Sequence, residues 1–164
     1  MFLKYFDTPL GRIKLTYRKD AITGLSFCEG NQTEELKAFK IDEDSEILQD
    51  ATRWITCYFK GMDPGETPPL SPEGTPFQLG VWEKAGSVPF GTWSTYGTLA
   101  SNLPKSAKGN VVSSQAVGTA LSKNPILLMI PCHRIVPKTG GVGGYAAGNE
   151  RKIALLRLEY NGLK

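Results

Sequence analysis

Ile130-Pro131-Cys132-His133-Arg134-Ile135-Val136 sets a cysteine beside the only histidine of the 164-residue chain. The thiolate, not the thiol, is the strong soft nucleophile among side chains. A free thiol with a pKa of about 8.5 is mostly protonated at neutral pH, so a base has to sit close by. His133 is the one imidazole available for that work. Burial as a structural thiol is the commonest fate of a free cysteine, and Cys28 and Cys57, which lack such neighbours, are read that way. The three cysteines form no C-x-x-C pair and no disulfide framework. With a single histidine the chain also lacks the usual Cys/His set of a zinc site, and no metal is expected.

Working outward from this segment, Asn124-Pro125 ends a helical pattern that runs from Ser113 to Lys123, because a residue before proline disfavours the α region. Two more helices are expected at Phe77–Ala85 and Ser94–Asn102. Downstream, Gly140-Gly141-Val142-Gly143-Gly144 reads as a loop leading to a last helix over Glu150–Tyr160, with Asn149 as N-cap and Gly162 as stop signal. Within that helix Glu159 lies three and four residues after Leu156 and Leu155, at the border of the apolar face. A carboxylate buried there is costly without a partner.

The first half is patterned differently. Phe2–Phe6, Gly11–Tyr17 and Ile22–Cys28 read as short strands separated by turns at Thr8-Pro9-Leu10-Gly11 and Lys19-Asp20. A weak helical pattern follows near Glu34–Phe39. A stronger one spans Ser45–Phe59, with Ile47, Leu48, Trp54, Ile55 and Tyr58 at helical spacing. Asp63 to Pro76 holds five prolines and reads as a linker. The expected class is α+β: a small N-terminal strand-and-helix domain, residues 1–71 with the linker, packed on a helical C-terminal domain, residues 72–164.

Charge divides along the same line. Residues 1–71 hold nine Lys/Arg and twelve Asp/Glu, a net −3, and residues 72–164 hold ten and four, a net +6. A basic half beside an acidic half points to a polyanion as partner of the second half. The longest aliphatic run, Ile126 to Ile130, is far too short to span a membrane, and the N-terminal stretch lacks the pattern of a signal peptide. A cytoplasmic protein without a membrane partner is expected.

The cysteine segment, with Asn124-Pro125 upstream and Gly143-Gly144-Tyr145 downstream, closely resembles the active-site signature of the O6-alkylguanine-DNA alkyltransferases, also called methylated-DNA–protein-cysteine methyltransferases. The resemblance covers residues 72–164 well and the first half in general layout, where it implies a ribonuclease H-like domain. It implies direct repair of double-stranded DNA. An alkyl group on O6 of guanine, with O4-alkylthymine as a second possible substrate, passes irreversibly to Cys132 in a single turnover, without cofactor, by a monomer.

The resemblance also assigns residues. His133 supports the thiolate through water and Glu159 orients the histidine. Tyr145, thirteen residues after Cys132, matches the pocket tyrosine, whose phenol can donate to the leaving base. Asn124 matches an asparagine that hinges the recognition helix to the site, and Ala147 stands where a pocket glycine is common. Ser94–Asn102 and Ser113–Lys123 match a helix-turn-helix whose second helix enters the minor groove. That groove is only about 6 Å wide, so a slim helix is needed, and Ser114 and Ala116 are among the small residues that supply one. Tyr96 matches a tyrosine that presses on the phosphate while the nucleotide rotates out of the stack. Arg134 is grouped with the DNA-binding residues, although bracing of the local fold is the plainer reading of its position.

Gln115 stands where most relatives carry an arginine that fills the gap left by the flipped base. Leu127 replaces a second proline, and the loop Pro104–Asn110 is longer than expected. Gln115 motivates the alternative reading, a non-catalytic protein that binds alkylated-DNA lesions.

Overall fold

The computed structural model describes residues 1–29 and 40–162, so the pattern near Glu34–Phe39 lies outside the described residues. Three antiparallel strands open the chain: β1 (Phe2–Thr8), β2 (Gly11–Tyr17) and β3 (Ile22–Phe27), in that order across the sheet. Alternation decides their packing: Ile13, Leu15 and Tyr17 of β2 are fully buried, and the residues between them are not. Helix α1 (Glu46–Phe59) covers this face with Ile47, Leu48, Ala51, Trp54, Ile55 and Tyr58. Ser45 caps it by accepting from the Leu48 amide.

The edge of β3 is not left open. Ile22 exchanges backbone hydrogen bonds with Pro69 and Ser71, and Leu25 with Pro125 and Leu127. An unpaired strand edge invites aggregation, and both neighbours here are loops from elsewhere in the chain. The proline-rich segment is therefore no loose linker: it is pinned on β3 at Leu70, Gly65 O lies 3.4 Å from Trp54 Nε1, and Pro76 already belongs to the next helix.

Helix α2 (Pro76–Gly86) starts with a capping box between Thr75 and Gln78. The stretch read as one helix from Ser94 divides in two. Ser94–Thr95 form a short strand, β4, and the helix α3 is Tyr96–Ser101 with Thr95 as N-cap. β4 pairs in parallel with β5 (Ile135–Val136), directly after the cysteine segment, which turns as a 3-10 helix over Cys132–Arg134. α4 (Ser114–Ser122) is capped by Ser113 and packs on α3 and α2, where Trp82 Nε1 donates to the Ala120 carbonyl at 2.9 Å. The last helix, α5, spans Asn149–Gly162. Asn149 is its first residue rather than its cap, and Gly162 lies within it rather than past its end. The fold is α+β, a small strand-and-helix unit against a helical one. No helix among the described residues is long and apolar enough to cross a membrane.

Candidate active site

Cys132 is buried, and its thiol borders a cleft of about 690 Å³ that Tyr96, Gly143, Gly144, Tyr145, Ala146 and one face of α4 also line. That face consists of Ser114, Gln115, Gly118, Thr119, Leu121 and Ser122, and helical spacing sets its small residues in one stripe. Val117 and Ala120 turn into the core, and Leu121 is buried at the border of the two faces. Gly143 sits at φ +69°, and a β-carbon there would come within 2.7 Å of the Tyr96 hydroxyl. Only glycine lets the loop lie this close.

Asn124 clamps the loop that carries the thiol. Its Nδ2 donates to the Ile130 carbonyl and to Cys132 Sγ, both at 2.9 Å, and its Oδ1 accepts from the Ile126 amide at 2.9 Å. Between them Leu128, fully buried, holds φ +69°, the left-handed region that a leucine enters only under constraint. Burial pushes the Cys132 thiol up to about 12, against the pull of the Asn124 hydrogen bond and the Lys152 charge. At neutral pH the resting thiol is therefore protonated.

Behind the thiol lies a buried polar cluster. His133 is wholly buried and its Nε2 is in close contact with Glu159 Oε2. The same oxygen accepts from the Tyr58 hydroxyl at 2.9 Å, while Oε1 accepts from Arg134 Nε at 2.6 Å and the Gly91 amide at 3.2 Å. Burial alone would raise the Glu159 carboxyl, but His133, Arg134 and Gly91 together hold it below the usual carboxylate range. Burial, with the charges of Arg134 and Lys152, lowers the His133 ring against the opposing pull of Glu159. His133 Nδ1 and the Tyr145 hydroxyl are buried without a partner among the described residues. Their rings meet edge to face at 6.2 Å.

Most of the expected residues converge here, with three corrections. Arg134 does not face the cleft. Its guanidinium points inward, bonded to Glu159 and the Val88 carbonyl and set over the Phe90 ring, so it braces the local fold, the plainer of the two readings of its position. Ala147 is not among the lining residues, and its carbonyl lies 3.4 Å from Arg151 Nη1. Ala116 likewise stands off the cleft, half-buried on the side of α4, whereas Ser114 and Gln115 line it.

Two members of the cluster escaped the sequence reading. Tyr58 shows in the sequence only as one of the helically spaced positions of α1. Lys152 is completely buried: its Nζ donates to the Ile135 carbonyl at 2.6 Å and the Gly144 carbonyl at 3.0 Å, and lies 3.5 Å from the Tyr96 hydroxyl. Burial lowers its pKa to about 8. Its signal was present, since Lys152, Leu155 and Glu159 share one face of α5 at the spacing that singled out Glu159.

A thiol on a cleft, flanked by a helix of small residues and backed by a histidine–carboxylate pair, defines the class of proteins with a nucleophilic cysteine at a groove. Comparison with known proteins narrows the class. The family described as 6-O-methylguanine DNA methyltransferase matches twice, its ribonuclease-like domain over residues 1–70 and its DNA binding domain over residues 76–161. The methylated-DNA–protein-cysteine methyltransferase of Methanosarcina acetivorans is 35% identical over 159 residues, covering 97% of this chain and 98% of its own. That of Haemophilus influenzae is 34% identical, covering 97% and 86%. Among solved structures, the O6-methylguanine methyltransferase of Mycobacterium tuberculosis superposes with a TM-score of 0.81 at 30% identity, over 98% of this chain and 93% of that one. The same bacterium's OGT in complex with DNA gives 0.82 at 29%, over 99% and 94%. The chain belongs to the 6-O-methylguanine DNA methyltransferase family.

Proposed function

We propose that this protein repairs duplex DNA by taking an alkyl group from O6 of guanine onto Cys132, once per molecule, acting as a monomer. The observation that carries the reading is the placing of one thiol on the cleft of α4, with the His133–Glu159 pair buried behind it. Residues 72–164 bind DNA and carry the transfer, and residues 1–71 support them. The relatives' names place them on methylated DNA, and O4-alkylthymine is a second substrate the same pocket chemistry admits.

The resting thiol is a poor nucleophile, so a proton has to leave as the attack begins. His133 takes it at Nδ1, by way of a water, and Glu159 stabilises the imidazolium that forms. The Sγ–carbon bond forms as the carbon–O6 bond breaks. The electron pair stays on the guanine, which takes up a proton. Tyr145, whose hydroxyl is buried without a partner among the described residues, serves as donor to the leaving base. Asn124 holds Sγ in line. Tyr96 and Gln115 face the displaced nucleotide and its orphaned partner, and Ser114 tracks the backbone beside them.

The decisive experiment is intact-mass analysis after incubation with duplex DNA containing O6-methylguanine. One added methyl on the peptide bearing Cys132, and none in Cys132→Ala, is expected. Repeated turnover with unmodified protein would falsify the reading, and tight lesion binding without added mass would favour a lesion-binding protein instead.

A further inference from the structure

Tyr58 belongs to the first half of the chain, yet its hydroxyl ends inside the cluster behind the thiol. It is fully buried, donates to Glu159 Oε2 at 2.9 Å, and its oxygen lies 3.3 Å from His133 Nε2. The ring has no room to turn. It stacks on Trp54 at 5.3 Å with the planes 4° apart, and meets Phe59 and Phe90 edge-on at 5.3 and 6.0 Å. Burial, followed by the nearby Glu159 charge, raises its pKa well above the usual value, so it remains a donor.

A phenol has one hydrogen. Once that hydrogen is given to Glu159, the two oxygens nearest Nε2, one carboxylate and one phenolic, can only accept from it. Nε2 must then carry a hydrogen, and the lone pair of the neutral ring falls on Nδ1. Without the phenol, Glu159 Oε2 keeps only His133 as its partner, while Oε1 stays on Arg134 and the Gly91 amide. The other groups facing the ring do not make up the loss. Arg134 is committed to Oε1 and Val88, Lys152 to backbone carbonyls, and Tyr145 and Cys132 make no hydrogen bond to Nε2.

We propose that Tyr58 is a positioning residue for alkyl transfer: it anchors Glu159 and locks His133 in the Nε2–H tautomer, which leaves Nδ1 free to take the thiol proton. The proposal rests on the transfer reading for Cys132, and it makes the strand-and-helix unit part of the reacting machinery rather than a mere support.

Since His133 is the only histidine, ring ¹⁵N shifts of the full-length protein report on one residue. In the wild type, Nε2 should show the protonated signature and Nδ1 the unprotonated one throughout the neutral range. In Tyr58→Phe the ring shifts should move, and the ring should titrate at higher pH, because Glu159 loses a competing donor. Single-turnover transfer should slow by roughly tenfold, the size of one hydrogen bond to a charged group, with duplex affinity unchanged. A hydrogen on Nδ1 in the wild type would overturn the proposal without any variant. Identical ring shifts and titration in both proteins would overturn it too, even if the variant were slower, since a packing defect alone would then explain the rate. Failure of the wild type to gain a methyl group would refute the transfer reading, while the ring shifts would still decide the hold of Tyr58 on His133.

Discussion

Residues 1–71 and the stretch from Asn124 to Glu159 bury opposite chemistry. In the first, Leu3, Ile13, Leu15, Ile22 and Leu25 are at most 2% exposed, and the interior is hydrocarbon and aromatic ring. In the second, Asn124, His133, Arg134, Lys152 and Glu159 are all buried, and among the described residues the first region adds to them only the polar tips of aromatic side chains, the Tyr58 hydroxyl reaching Glu159. An apolar interior needs volume and shape, and it tolerates some repacking. A charged interior survives only if each donor finds its acceptor, because a buried charge that loses its partner costs far more than the pair gains. The second region therefore trades tolerance for geometry. That is the condition for moving a proton between fixed atoms.

The comparison can be broken most forcefully at His133. His133→Ala should slow transfer about 10²–10⁴-fold, the usual worth of general-base assistance, with little change in duplex affinity. Leu15→Ala, in the apolar region, should leave the rate of the remaining folded protein near normal. Single-turnover kinetics on both variants test the contrast, and equal slowing in the two would erase it.

Stability offers the next contrast. Arg134→Ala strips Glu159 of its closest fixed cation and should cost about 3–5 kcal/mol, read by denaturant unfolding, together with a slower transfer. Leu15→Ala should cost about 2–5 kcal/mol through its cavity. An Arg134 variant that is unfolded no more easily than wild type would mean that the cluster relaxes without penalty.

Acid should act through the charged region. The His133 ring is held below its ordinary value of 6.5, so the unfolded chain binds the added proton more readily than the fold does. Stability is thus complete above that value and falls as the pH drops below it. Glu159, held below its ordinary 4.5, extends the loss further into acid. Melting temperatures measured from neutral pH downward should fall in the wild type. His133→Gln should lose the portion nearest 6.5, and an unchanged profile would remove His133 from the account.

Gln115 gives the smallest effect and the sharpest register test. It is exposed on the first turn of α4 and lines the cleft. Gln115→Arg should tighten duplex binding and steepen its salt dependence by about one phosphate's worth. Labelling by free O6-benzylguanine, which requires no flipped nucleotide, should barely change. An equal shift in both measurements would mean that Gln115 does not enter the gap.

Much of this was legible in the sequence, for local reasons. Bounding turns marked the three strands, helical spacing marked α1, and Asn124-Pro125 marked the end of α4. The Cys-His segment with its flanks marked the reactive loop. What escaped has a common cause. The β4–β5 pairing joins Ser94 to Ile135 across forty residues of chain, and no local pattern encodes a partner at that distance. The chain shows the charge of Arg134 but not its direction, so bracing of the fold and contact with DNA both stay open until the structure turns it inward. Periodicity tells which face of its own helix a residue occupies. It could have flagged Lys152 beside Glu159, but it could not show that a tyrosine on α1 ends against the same carboxylate. Hydrogen bonds hold only within about 3 Å and over a narrow range of angles. Only the packed tertiary structure decided which of these buried polar atoms meet.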